Sequence, residues 1–153
     1  MGAAVTREGG PAILETDVHA EVIAVADALR ALIITGRRAL GADLGRLLER
    51  RGCQVVVAGD GKSAVDLFQA QHQDMVLVDT RVEGAMDFAA QVRARPSAPL
   101  LIAVSSEALR NDERRRLAAA GFVMIILTTD PSDLAVLSRL VLRREAGPRL
   151  ASG

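Results

Sequence analysis

Five short apolar runs at regular intervals constrain this chain more than any other feature. They are Ala31–Ile34, Val55–Val57, Met75–Val78, Leu100–Val104 and Val123–Leu127. Each is too short for a buried helix and too uniformly apolar for a strand with one wet face. Such a run suits a strand buried on both faces, the condition of a parallel sheet covered by helices on each side. The stretches between the runs carry helical signals, so strand and helix alternate five times with room for crossovers. The expected class is α/β, with one parallel sheet between two helical layers.

The intervening helices have recognisable limits. Leu40, Leu44, Leu47 and Leu48 predict a helix ending near Arg51, with Gly52 as its stop. A second, from Ser63 to Gln71, buries Leu67 and Phe68 with either Ala64 or Val65. A third, around Phe88 and Val92, ends before Pro96, and a charged fourth runs from Glu107 to Ala120 with Gly121 as its stop. The last has Asp130 as cap, Pro131 at its first position and Asp133 in its first turn, and reaches about Arg144. The domain is thus expected over residues 29–144, with a flexible tail at 145–153 and an extension at 1–28. Within that extension Val18, Val22, Val25, Ala26 and Leu29 recur at helical spacing, while the many β-branched residues keep an extended linker open as the alternative.

Composition removes several function classes. The net charge is zero, which gives no general attraction to nucleic acid or membrane surfaces. Three Phe with no Tyr or Trp offer no platform for base stacking. No apolar run reaches membrane-spanning length without charges, and no basic region followed by an apolar stretch marks a leader. One cysteine, Cys53, heads an apolar run and reads as a core residue in a reducing, cytoplasmic setting.

The chemistry gathers at the third run. DMVLVDTRVEGAMD ends its apolar stretch on Asp79 and passes at once into a Gly-containing loop. In open α/β sheets ligands bind outside the carboxyl ends of the strands, so Asp79 is expected at the lip of that crevice.

Taken in register, several stretches resemble the response-regulator receiver domain of two-component signalling, over roughly Leu29 to Arg144. LLERRGCQVVVAGDGKSAVDLF resembles the family's first helix, second strand and second helix. DMVLVD puts Asp79 on its phosphoacceptor, LIAVSS puts Ser105 on its switch hydroxyl, and AAAGF stands before the fifth strand. The resemblance implies a flavodoxin-like (βα)5 doubly wound sheet in strand order 2-1-3-4-5. It also implies an aspartate that takes a phosphoryl group beside Mg²⁺ held by an acidic pair after strand one. A Lys after strand five would contact the phosphoryl group.

Here the sequence departs from the pattern. The acidic pair falls on Thr35 and Gly36, followed by Arg37 and Arg38; the Lys-Pro pair falls on Thr128 and Thr129; the aromatic on strand five falls on Ile125. Only Asp79 and Ser105 remain of the phosphorylation set. The expectation is a degenerate, non-catalytic pseudo-receiver without resident cofactor, its Mg²⁺ binding weak or absent. It would regulate by contact with a histidine kinase or another signalling protein, as part of or partner to a hybrid kinase.

Each candidate residue also has a plainer reading. Asp79 is expected as a fixed carboxylate and Ser105 as a strand-end hydroxyl capping the next helix, with Ser106 competing for that role. Arg37, Arg38 and Arg81 come from loops at one sheet edge; a guanidinium in the metal's place, an anion site for a cyclic dinucleotide, and solvated charge are all open. Arg114, Arg115 and Arg116 read as solvated surface or as a docking patch on the face that the resemblance assigns to partners. His19 and His72 lack metal-ligand spacing. Autophosphorylation on Asp79 stands as the alternative function.

Overall fold

The computed structural model describes residues 28–152, with side chains to Val141. Its order is β1 (Arg30–Ile34), α1 (Arg38–Glu49), β2 (Gln54–Ala58), α2 (Gly61–Ala70), β3 (Met75–Asp79), α3 (Ala85–Arg93), β4 (Leu100–Ser105), α4 (Asn111–Ala119), β5 (Met124–Leu127) and α5 (Pro131–Ser152). All four strand pairings are parallel and the sheet order is β2-β1-β3-β4-β5. β3 is central and every one of its residues is buried.

Period-two alternation divides the core. Leu32, Ile34, Val76, Val78, Leu101 and Ala103 face one layer, where Phe68 of α2, Phe88 and Val92 of α3 and Leu117 of α4 meet them. Ala31, Ile33, Met75, Leu77, Ile102 and Val104 face the other, against Leu44 and Leu48 of α1 and Leu137 and Val141 of α5. Each fully buried Leu, Ile, Val or Phe contributes about 1.5–3 kcal/mol of transfer free energy. Phe68 and Phe88 meet edge to face at 5.8 Å, and Arg95 caps the outer side of Phe68 at 5.0 Å.

Three boundaries differ from the sequence reading. α2 starts at Gly61, because Asp60 accepts the Ser63 N–H at 2.8 Å and caps the helix two residues earlier than expected. α4 starts at Asn111 rather than Glu107, since the segment after Ser105 is spent on a loop; Glu113 then accepts the Arg110 N–H at 2.9 Å and seals the late start. α5 runs on to Ser152, past the expected stop near Arg144 and through the residues read as a tail. The expected helical or linker segment before Ala28, with His19, lies outside the described residues. No helix of the described residues is long and apolar enough to cross a membrane.

Candidate functional site

Three adjacent strands end in the same way. Thr35 follows β1, Asp79 ends β3 and Ser105 ends β4, and all three side chains are at most 4 % exposed. Each folds back onto the backbone two residues ahead. Thr35 Oγ1 accepts the Arg37 N–H at 3.1 Å, Asp79 Oδ1 the Arg81 N–H at 3.1 Å and Ser105 Oγ the Glu107 N–H at 3.1 Å. Short polar side chains close turns this way because the bond replaces a backbone partner that the strand has just lost. The turns set the directions of the three loops above the sheet.

Asp79 joins the first two turns. Its Oδ2 accepts from Thr35 Oγ1 at 2.8 Å and from Arg37 Nε at 3.1 Å. The carboxylate is 3 % exposed and the arginine side chain 40 %, so the pair is half-sheltered and its cation lies on the solvent side. Arg37 precedes α1 in extended backbone (φ −96°, ψ 110°), and its carbonyl accepts the Gly41 N–H at 3.1 Å as the helix begins. That conformation sends the side chain over the sheet edge instead of along the helix. Both carboxylate oxygens are therefore bonded, one of them twice. The Nη2 of Arg37 is buried and finds no protein acceptor among the described residues.

The other arginines divide their roles. Arg81 gives Asp79 only its backbone N–H; its guanidinium pairs with Glu107, tying the β3 and β4 loops together. Arg38, exposed in the first turn of α1, makes no ion pair among the described residues and takes no part in the cluster. Arg114, Arg115 and Arg116 are exposed on α4, away from the cluster, and Arg116 pairs with Asp112 at 3.6 Å. His72 is exposed, and its Nε2 lies 3.2 Å from Asp74.

The remaining sites fall as follows. Ser105 does not cap a helix: its hydroxyl also donates to the Glu107 carbonyl at 2.5 Å, so both bonds go to the loop before α4. Thr128 donates its N–H to the Ser105 carbonyl at 2.8 Å and lines a groove between α1 and α5, while Thr129 is exposed. Leu127, on the sheet edge, donates its N–H to Asp133 at 2.8 Å, a bond not foreseen from the sequence.

A divalent cation fits this donor set poorly. Among the described residues no three acidic, histidine or cysteine side chains gather as a metal would need. The carboxylate oxygen facing Thr35 is already in contact with a guanidinium. Mg²⁺ prefers near-octahedral oxygen ligation anchored by carboxylates, and here one carboxylate stands among a hydroxyl and a fixed positive charge.

The fold and the comparisons agree on the class. No family model matches the sequence. The chain is 33% identical over 120 residues to the sensory transduction protein RegX3 of Mycolicibacterium smegmatis, covering 75% of this chain and 51% of that protein. It is 27% identical over 118 residues to the transcriptional regulatory protein PdtaR of Mycobacterium tuberculosis, covering 75% of this chain and 57% of that one. The chain thus spans about half the length of the curated relatives it matches. Among solved structures, the chemotaxis response regulator CheY4 of Vibrio cholerae superposes with a TM-score of 0.66 at 17% identity, over 74% of this chain and 98% of that one. A response regulator from Thermotoga maritima gives 0.66 at 20% identity, over 78% and 98%. The described residues take the CheY-like fold, and the solved structures they superpose on are response regulators.

Proposed function

We propose that this receiver domain has exchanged phosphoryl chemistry for a fixed ion-pair cluster, and that it regulates two-component signalling by protein contact. The observation that carries the reading is the sharing of Asp79 Oδ2 between Thr35 and Arg37. To accept a phosphoryl group a carboxylate must present a free oxygen, and a divalent charge must offset the incoming oxygens. Here Arg37 supplies one positive charge permanently, and Thr35 stands where a second carboxylate would complete the metal site. Asp79 becomes a structural anion and the domain acts without catalysing a reaction.

A histidine kinase or a neighbouring signalling protein is the fitting partner class, in a cytoplasmic setting. The exposed Arg114, Arg115 and Arg116 on α4 suit an acidic partner surface. A cyclic dinucleotide is less favoured, since Arg37 is committed to Asp79 and Arg81 to Glu107. Because the chain matches only part of its relatives, the proposal covers the receiver domain and not what the rest of those proteins does.

Intact mass after incubation with acetyl phosphate and Mg²⁺ tests the reading. The expected spectrum is unchanged. An added phosphoryl group that disappears in Asp79→Asn would restore the phosphoacceptor function instead.

A further inference from the structure

A cavity of about 200 Å³ opens at the end of the sheet opposite Asp79. It lies between the loop leading from α2 into β3 and the loop leading from α3 into β4. Phe68, Gln73 and Pro99 form its buried wall, and His72, Arg95 and Ser97 stand exposed at its mouth. We propose that this cavity binds a small molecule with an amide edge and an anionic end, the amide read by Gln73 and the anion by Arg95.

Three observations select that ligand. The first is the Gln73 carboxamide. Gln73 is 2% exposed, and neither its Nε2 nor its Oε1 has a protein partner among the described residues. Buried amides are ordinarily hydrogen-bonded, and one left open at a cavity wall suits an occupant that brings both a donor and an acceptor. The carboxamide presents N–H and C=O side by side, so a lactam, a primary amide or a urea can meet it with two parallel bonds. The second is Arg95. Its guanidinium carbon stands 5.0 Å from the centre of the Phe68 ring, which fixes it at the mouth, and it makes no ion pair among the described residues. A guanidinium held this way with free N–H donors suits a carboxylate. The third is what the lining leaves out. Among the described residues no carboxylate lines the cavity; Asp74, next to Gln73, is taken by the Arg30 N–H at 2.9 Å and by His72 Nε2 at 3.2 Å. The volume equals that of about seven waters, room for a molecule of amino-acid size and less than a drug-sized ligand needs. A ligand role also explains why a buried amide is kept at a cost to stability. The proposal concerns the far end of the sheet and stands whether or not Asp79 takes phosphate.

The test is an NMR titration of the full chain with pyroglutamate, a lactam that carries a carboxylate, following the Gln73 side-chain NH₂ and the Arg95 Nε–H resonances. Both are expected to shift saturably. Cyclopentanecarboxylate, which lacks the amide edge, should leave the Gln73 signal in place. Pyrrolidone, which lacks the carboxylate, should shift it with about tenfold weaker affinity. Arg95→Ala should weaken pyroglutamate by a similar factor and leave pyrrolidone binding unchanged. Gln73→Leu should abolish binding of both, with the Val78 and Asp79 amides in place as the check on the fold. No saturable shift with any of the three compounds would overturn the proposal and assign the carboxamide to water alone. So would binding that survives Gln73→Leu, or equal affinity for cyclopentanecarboxylate and pyroglutamate.

Discussion

Asp79 and Gln73 flank the central strand at opposite ends, and each is almost wholly buried, at 3% and 2% exposure. There the likeness stops. Asp79 receives three hydrogen bonds, from the Thr35 hydroxyl, the Arg37 guanidinium and the Arg81 N–H. The Gln73 carboxamide finds no protein partner for its nitrogen or its oxygen among the described residues. One strand thus ends in a charge that its surroundings are built to hold and starts beside a neutral dipole they leave alone. A buried polar group without a partner costs about 1–3 kcal/mol, and a buried carboxylate more. The contrast is local to Gln73, since its neighbour Asp74 accepts the Arg30 N–H at 2.9 Å at the same end of the strand.

Substitutions at the two ends should move stability in opposite directions. Arg37→Ala takes the cation from a buried carboxylate and should cost about 1–3 kcal/mol in urea unfolding, the solvent-exposed part of the pair holding it below a fully buried bridge. A loss near zero would mean that Thr35 and the backbone hold Asp79 unaided. Thr35→Val keeps the shape and removes one donor, with an expected loss of about 1 kcal/mol. Combined with Arg37→Ala it should be non-additive, because both groups serve the same oxygen. At the other end, Gln73→Leu is expected to gain about 1 kcal/mol by replacing an unpaired amide with an apolar group of similar size. A loss there would show that the carboxamide has a role its contacts do not display.

The smallest effect belongs to Asp60 at the start of α2. The Ser63 N–H holds its carboxyl below the ordinary carboxylate range, helped by Lys62. A pKa lowered in the folded state stabilises above the unfolded value, so the cap's contribution is complete above about pH 4 and fades as the pH falls through the lowered value. Asp60→Asn, which still accepts a hydrogen bond, should flatten that part of the stability–pH curve and leave neutral-pH stability nearly unchanged.

The sequence disclosed the scaffold because a parallel sheet imposes a blunt requirement. Runs such as MVLVD have to be apolar on both faces, and the pattern survives any rearrangement of the loops. Asp79 was legible for the same reason, as the polar residue that ends the central run. Its partners were less so. Thr35 read only as a lost carboxylate, although its hydroxyl is the shortest contact that Asp79 makes. Three arginines were available to meet Asp79, and spacing alone does not separate them. What does is the extended backbone at Arg37, the helical start at Arg38 and the presence of Glu107 opposite Arg81. The late start of α4 was hidden because Ser105 looks like a cap and spends both its bonds on Glu107.

The central claim is that Arg37 and Thr35 hold Asp79 where a metal-assisted phosphoryl group would otherwise bind. The most direct measurement follows the backbone amides of Thr35, Arg37, Asp79, Arg81, Ser105 and Glu107 by NMR while Mg²⁺ and beryllofluoride are added. These resonances are expected to stay in place in the natural sequence. Saturable shifts at Asp79 and Ser105 would contradict it, and would return the domain to the phosphorylatable receivers.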